Sequence, residues 1–412
     1  MADTDRSLRS TPGTGTAWWV LLAAIPLALA TVVGLRYQLN FVGADFDVYR
    51  GGARAVLSGD RLYDFSSANQ LPFTYPPAAA LLFVPLGPGR AAVTDAGWTF
   101  LSVSALQAVV WVTIGRLGVT ARVDRLRRTA VASLLVLPLA PVEFNLWVGQ
   151  INIFLLLLVL ADLFLNTGRF RGVAIGIAAG IKLTPLIFIA YLLLTRRLRA
   201  AATATAAFAA TVLVGFLLLP GESARYWSKY AADVGRITMG NDVPYFDASL
   251  RGVLGRLDLP ALTATYFVLG GLVGAAGLAL SVWASRRGQE VVGVLACGIT
   301  GLLVSPVSWI FHWVWIVPLL LLWAHRASER GRTRERAGVA ALYLLCLSSA
   351  GWVVLLFLQV SVPSAVTQVY AALYTVIGAA TLVVFAVHLR RTGGSVTELP
   401  TARRAEPDTL AA

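Results

Sequence analysis

Charge is scarce in this 412-residue chain: Asp, Glu, Lys and Arg together make up 13% of it. A soluble globular domain carries about 25%, and half that fraction leaves too little polar surface for a body in water. Lysine is rarer still. All but two of the 34 basic residues are arginine, the exceptions being Lys182 and Lys229. Cysteine is limited to Cys297 and Cys346, each inside an apolar block, which excludes a disulfide framework. No zinc-type Cys/His spacing and no Gly-rich phosphate loop ending in lysine occurs, and no internal repeat is evident.

What is present is apolar: 57% of the residues are hydrophobic. A hydrocarbon core of ~30 Å takes ~20 apolar helical residues to cross. Ala17–Leu35 meets this without a charge. A cleaved signal peptide would carry a shorter apolar run, of roughly 7–15 residues, so a retained first helix is expected. Further spans read as Gly97–Ile114, Thr129–Val148, Ile151–Leu165, Ala200–Leu219, Ala261–Ser285, Val291–Val304, Val307–Ala324, Ala337–Val360 and Ala365–Val387. The block 172–195 is interrupted at Lys182-Leu183-Thr184-Pro185. The expected fold is an all-α polytopic membrane protein, a bundle of about 10–12 transmembrane helices.

The net charge of +13 does not point to nucleic acid, because the arginines cluster between apolar blocks, where topology accounts for them. Basic clusters at 116–128, 169–171, 196–199, 286–287, 326–336 and 390–404 are expected on the cytoplasmic side, with both termini. Residues 36–90 and 220–260 are then outer loops of a single membrane domain, 17–389. The polar tails 1–16 and 390–412 are expected to be disordered. Arg171 and Arg196 flank the 172–195 block and both belong inside. Two short helices turning at Pro185 would satisfy this; one kinked helix is the competing reading. Segment 76–86 is too short to cross and is expected in the outer interface.

The unusual polar residues collect on the expected outer side. Asp45 and Asp47 follow the first span; acids at i and i+2 do not share a helix face. Either could be a general base at the membrane surface, or simply an N-cap. Lys182 lies inside an apolar block, where an ionisable side chain is expensive and points to function; its compact ammonium suits a phosphate oxygen. A snorkelling lysine is the plainer alternative. His312, beside Trp309, fits either a polar cavity or an aromatic belt. Gln150 and Asn152 fall at an outer turn, as do Asp247, Arg251 and Arg256. Asp162, near an inner end, reads as structural.

Several of these segments resemble the actinobacterial polyprenyl-phosphate-mannose-dependent α-1,2-mannosyltransferases, a branch of the GT-C glycosyltransferases. The resemblance lies in Asp45-Phe46-Asp47-Val48-Tyr49, Phe73-Thr74-Tyr75-Pro76-Pro77, Gly149-Gln150-Ile151-Asn152, Ile181-Lys182-Leu183-Thr184-Pro185 and Ser305-Pro306-Val307-Ser308-Trp309 with His312. It implies an outward-facing, inverting, metal-independent transferase in the plasma membrane. The implied donor is a polyprenyl-phosphate sugar and the acceptor a cell-envelope glycolipid or glycan. It also implies Asp45 as catalytic base, Asp47 as a second acid, Lys182, His312, Arg251 and Arg256 at the donor phosphate or sugar, and Tyr49, Tyr75, Gln150, Asn152 and Trp309 lining the cavity. Asp247 and Ala248 depart from an Asn-Gln pair of that family. Arabinofuranosyl transfer from polyprenyl-phosphoarabinose and a transporter function remain open alternatives.

Overall fold

A computed structural model describes residues 12–36, 43–238, 247–257, 262–357 and 364–392. The outermost parts of both tails, 1–11 and 393–412, and two stretches of the second long loop lie outside the described residues. Helix already begins at Pro12 and persists to Arg391.

The described chain is helical almost throughout, and strand geometry is confined to two isolated bridges. The first helix, α1 (Pro12–Arg36), lies against α4 (Ala91–Arg116), with Gln107 Nε2 donating to the Leu22 carbonyl at 2.9 Å. Between them come α2 (Ala44–Ser58) and α3 (Pro77–Phe83). Then follow α5 (Arg122–Val136), α6 (Ala140–Val148), α7 (Asn152–Phe164), α8 (Val173–Ile181), α9 (Ile187–Leu194) and α10 (Leu198–Leu218). The second loop holds α11 (Pro220–Arg225), a π-turn at Tyr226–Tyr230, α12 (Val234–Thr238) and α13 (Leu250–Arg256). The chain ends with α14 (Leu262–Arg286), α15 (Glu290–Val304), a 3₁₀ segment Ile310–Trp315 leading into α16 (Ile316–Arg330), α17 (Thr333–Phe357) and α18 (Ser364–Arg391).

The polytopic helical class holds, with long spanning helices and shorter apolar ones side by side. Among the described residues six helices are long and apolar enough to cross a bilayer, or seven if a bent pair forms one span. Some apolar stretches are not single straight helices. Thr129–Val148 is such a case: α5 and α6 meet at 78°, because Pro138 and Pro141 remove backbone donors and clash with the preceding turn. At 13 residues, α7 is about 20 Å long and is packed within the protein.

The 172–195 block is also broken. Lys182 is extended (φ −148°, ψ 133°), and a 3₁₀ turn at Thr184–Leu186 precedes α9. Its course follows from three glycines one step of four apart. A Cβ at Gly172 would come within 2.1 Å of the Ala200 carbonyl oxygen, at Gly176 within 2.3 Å of the Ala204 oxygen, and at Gly180 within 2.1 Å of Thr211 Oγ1. Helix α8 therefore lies backbone to backbone on α10, as small residues allow in membranes, and runs in the same direction. The chain between them must reverse, so α9 returns. Arg171 and Arg197 consequently lie at one end of the bundle.

That end is rich in arginine. Asp162 accepts the N–H groups of Gly172 (2.6 Å) and Ile175 (3.0 Å), capping α8 in the structural role expected of it. Arg197 pairs with Glu290, Arg326 donates to Gln289 at 3.0 Å, and Arg287 donates to the Leu389 carbonyl at 2.9 Å. These contacts gather the C-terminal ends of α7, α14, α16 and α18 with the N-terminal ends of α8, α10 and α15. The opposite end is covered by the segment from α2 to α3. It has its own apolar core of Val48, Tyr49, Leu62, Tyr63, Phe73 and Phe83, set on Ile151 and Leu155 of the α7 region and Ala178 and Ile181 of α8.

Candidate active site

The site lies under this cover, where four segments meet. Helix α2 brings Asp45 and Tyr49, the α6–α7 turn brings Gln150 and Asn152, the break after α8 brings Lys182, and the 3₁₀ segment before α16 brings His312. The α6–α7 turn depends on Gly149. Its φ is +77° and a Cβ there would fall 2.6 Å from that of Phe46, so only glycine both closes α6 and lets α2 approach. Trp98 Nε1 donates to the Gly149 carbonyl at 2.8 Å.

The polar groups form a continuous relay. Gln150 Oε1 accepts from Tyr49 Oη (3.1 Å), Tyr75 Oη (3.3 Å) and Asn152 Nδ2 (3.2 Å). With its oxygen so engaged, the amide nitrogen is left for Asp45, whose carboxylate hydrogen-bonds the Gln150 side chain. Asn152 Oδ1 accepts from Lys182 Nζ at 3.2 Å, and Nζ stands 2.8 Å from His312 Nε2. The ring's other nitrogen, Nδ1, accepts the Trp309 backbone N–H at 3.2 Å. Asn145 and Asn152 both donate to the Phe311 carbonyl, fixing this segment against the α6–α7 turn. A carboxylate thus stands at one end of the relay and a lysine–histidine pair at the other. Burial pushes the Asp45 carboxyl up to about 7, against the opposing pull of Lys182 and the Gln150 bond. Burial, and then the charge of Asp45, pushes the Tyr75 phenol up, so it stays a donor. Beyond Asn152 and His312 a narrow slot of about 50 Å³ continues into the bundle, lined by Leu155, Val159, Phe188, Leu302 and Trp315.

Of the residues singled out in the sequence, Asp45, Tyr49, Tyr75, Gln150, Asn152, Lys182 and His312 come together, with Trp309 at the rim. Asp47 does not join them. Its Oδ2 accepts the Ala68 N–H at 2.9 Å and it lines a separate cleft on the far side of α2, because two residues along a helix is more than half a turn. Arg251 and Arg256 sit on α13, where Arg256 Nη1 donates to the Asp247 carbonyl at 2.8 Å. Asp247 Oδ1 accepts the N–H groups of Ser249 and Ser308, both at 2.9 Å. An amide oxygen could accept the same two bonds. Sequence reasoning missed Trp98 and the Phe311 carbonyl: one is a tryptophan inside an apolar span, the other a main-chain atom, and neither leaves a mark in the pattern. Among the described residues no three His, Cys, Asp or Glu side chains are grouped to hold a metal ion.

The glycosyltransferase family 87 model matches residues 73–306, more than half of the chain. The chain belongs to glycosyltransferase family 87. A polyprenol-phosphate-mannose-dependent alpha-(1-2)-phosphatidylinositol mannoside mannosyltransferase of Mycobacterium tuberculosis is 36% identical over 332 residues, 75% of this chain and 77% of the relative. A second M. tuberculosis protein, named for a phosphatidylinositol pentamannoside acceptor, is 33% identical over 361 residues, 85% of this chain and 79% of the relative. A crystal structure of ArnT from Cupriavidus metallidurans bound to undecaprenyl phosphate aligns over 92% of this chain and 73% of its own, with a TM-score of 0.44 at 18% identity. This family 87 protein is a membrane glycosyltransferase, and the transporter alternative falls away.

Proposed function

We propose that this family 87 enzyme moves a mannosyl residue from polyprenyl-phosphate mannose to a hydroxyl of a phosphatidylinositol mannoside or related envelope glycolipid, with inversion. The names of its relatives support the donor and the acceptor class. The observation that carries the mechanism is the relay from Asp45 to Lys182 and His312, assembled from four distant segments at the end of the bundle away from the arginines.

Asp45 takes the proton of the acceptor hydroxyl as that oxygen attacks the anomeric carbon. The bond from that carbon to the phosphate oxygen breaks, and its electron pair leaves with polyprenyl phosphate. Lys182, steadied by the Asn152 side-chain oxygen, meets the charge that grows on the departing phosphate; a preorganised cation in a water-poor site acts most strongly in the transition state. A carboxyl near neutrality is a more effective base than an ordinary aspartate, because base strength and ionised fraction are then balanced. By the positive-inside rule the arginine-rich end and both termini face the cytoplasm and Asp45 faces outward. The resemblance in sequence supports a reaction without metal.

The test uses membranes containing the protein, labelled polyprenyl-phosphate mannose and a mixture of phosphatidylinositol mannosides. Transfer that wild type supports and Asp45→Asn loses is the expected result. Transfer from polyprenyl-phosphoarabinose instead would overturn the donor assignment, and transfer retained by Asp45→Asn would overturn the base.

A further inference from the structure

The far face of α2, turned away from Asp45, borders a second cleft of about 600 Å³, within the 300–1,000 Å³ usual for ligand sites. The catalytic relay does not use it. Its polar lining is Asp47, Arg54, Asp60, Arg61 and Asp64, and Phe65 is its aromatic wall. Phe65 is seated deliberately. A Cβ on Gly51 would fall 1.9 Å from the tip of its ring, so the bare backbone of α2 is what allows the ring to lie there, part-exposed to the cleft.

The lining has a chemical signature. Carboxylates and guanidinium groups alternate, giving acceptors and donors side by side without a strong net charge, and one ring face is available to C–H groups. Arg61 and Asp64 pair at 3.6 Å, and Asp64 is also held by Arg225. A phosphate would meet three acids beside the two arginines and find no net attraction. A neutral polyol meets matched partners for its hydroxyls and a platform for its apolar face.

We infer that this cleft is an acceptor subsite that takes sugar rings of the glycolipid head group, apart from the ring whose hydroxyl is attacked. The inference rests on the acceptor class proposed above and adds where the acceptor is held. Asp45 and Asp47 are two residues apart in the first turn of one helix, so a glycan seated on the Asp47 side needs only to round that turn to present a hydroxyl to Asp45. Helix α2 then sets the distance between glycan and base.

The test uses two variants of the full-length protein in detergent, Phe65→Leu and Arg61→Gln; Arg61 is mostly exposed, with 79% of its side-chain area open, so its replacement spares the fold. Binding of soluble α-mannotriose is followed by saturation-transfer NMR, and KM is measured separately for acceptor and donor. The expected result is binding by wild type, about a tenfold weakening in Phe65→Leu, a matching rise in acceptor KM, and a donor KM that does not move. Unchanged trisaccharide binding and acceptor KM in both variants would overturn the subsite, as would competition by inorganic phosphate at this cleft. Binding that the variants lose, by a protein that transfers no mannose, would uphold the subsite and sink the reaction assigned above.

Discussion

Replacing Asp45 by asparagine separates a catalytic carboxylate from a structural one by the sign of its effect on stability. The carboxyl titrates near 7 in the folded protein and near 3.8 when free of it. A carboxyl raised by folding costs nothing below its unfolded value, where both states are protonated. The cost accrues as pH climbs from about 4 to about 7 and is constant above. Three units correspond to roughly 4 kcal/mol at 1.36 kcal/mol each. That is an upper figure, because the side chain is only partly enclosed and water screens it. Asparagine keeps the shape and a hydrogen-bonding oxygen for Gln150 but carries no charge to desolvate. The variant should therefore be as stable as wild type at pH 4 and more stable at pH 8, while transfer drops about 10²–10⁴-fold, the usual cost of losing a general base. The assay pairs thermal unfolding in detergent at both pH values with initial rates of mannosyl transfer. If Asp45→Asn lost stability and activity together at pH 8, the carboxylate would be structural and the reasoning would fail.

Wild-type kcat/KM should rise about tenfold per pH unit below 7 and level above it, and a pH–rate profile that is flat from pH 5 to 7 would contradict Asp45 as the ionising base. Lys182→Gln should lower kcat about 10²–10³-fold, and Lys182→Arg should not restore it, since Asn152 holds a point charge in a site closed by His312; single-turnover rates decide this. Gly149→Ala should cost about 1–3 kcal/mol in backbone strain, with more from the clash at Phe46, seen as a lower unfolding temperature. Chelators should leave transfer unchanged.

The site was more legible in the sequence than the path of the chain. Lys182, His312, Gln150 and Asn152 stand out because a polar side chain in an apolar setting is costly. Pattern alone could not order them, since the Gln150 and Asn152 amides are what connect Asp45 to Lys182, and the residues so joined are far apart in the chain, 30 positions between Asn152 and Lys182 and 101 between Tyr49 and Gln150. Asp45 and Asp47 could be separated only as opposite faces; which face meets Gln150 is fixed by how Phe46 packs on Gly149. The chain path was readable where a charge marked it. Pro185 reads as a break because Lys182 stands beside it and arginines bound the block. Pro138 breaks its helix by the same chemistry, yet it is flanked by leucines and carries no charge to mark it, so the pattern there reads as one span.

Gly172, at the start of α8, and Gly176 and Gly180 within it have a bearing on where the lysine sits. Each interval of four residues is about 6 Å of helix, and the last glycine precedes Lys182 by two. Sliding α8 along α10 by one notch would carry the lysine about that far along the membrane normal, more than twice its 2.8 Å separation from His312. The contact between the two helices is therefore a ruler as well as a joint. It measures the depth at which a positive charge is presented, and a bulkier residue at Gly176 would silence the enzyme by misplacing that charge without touching any group that meets the substrate.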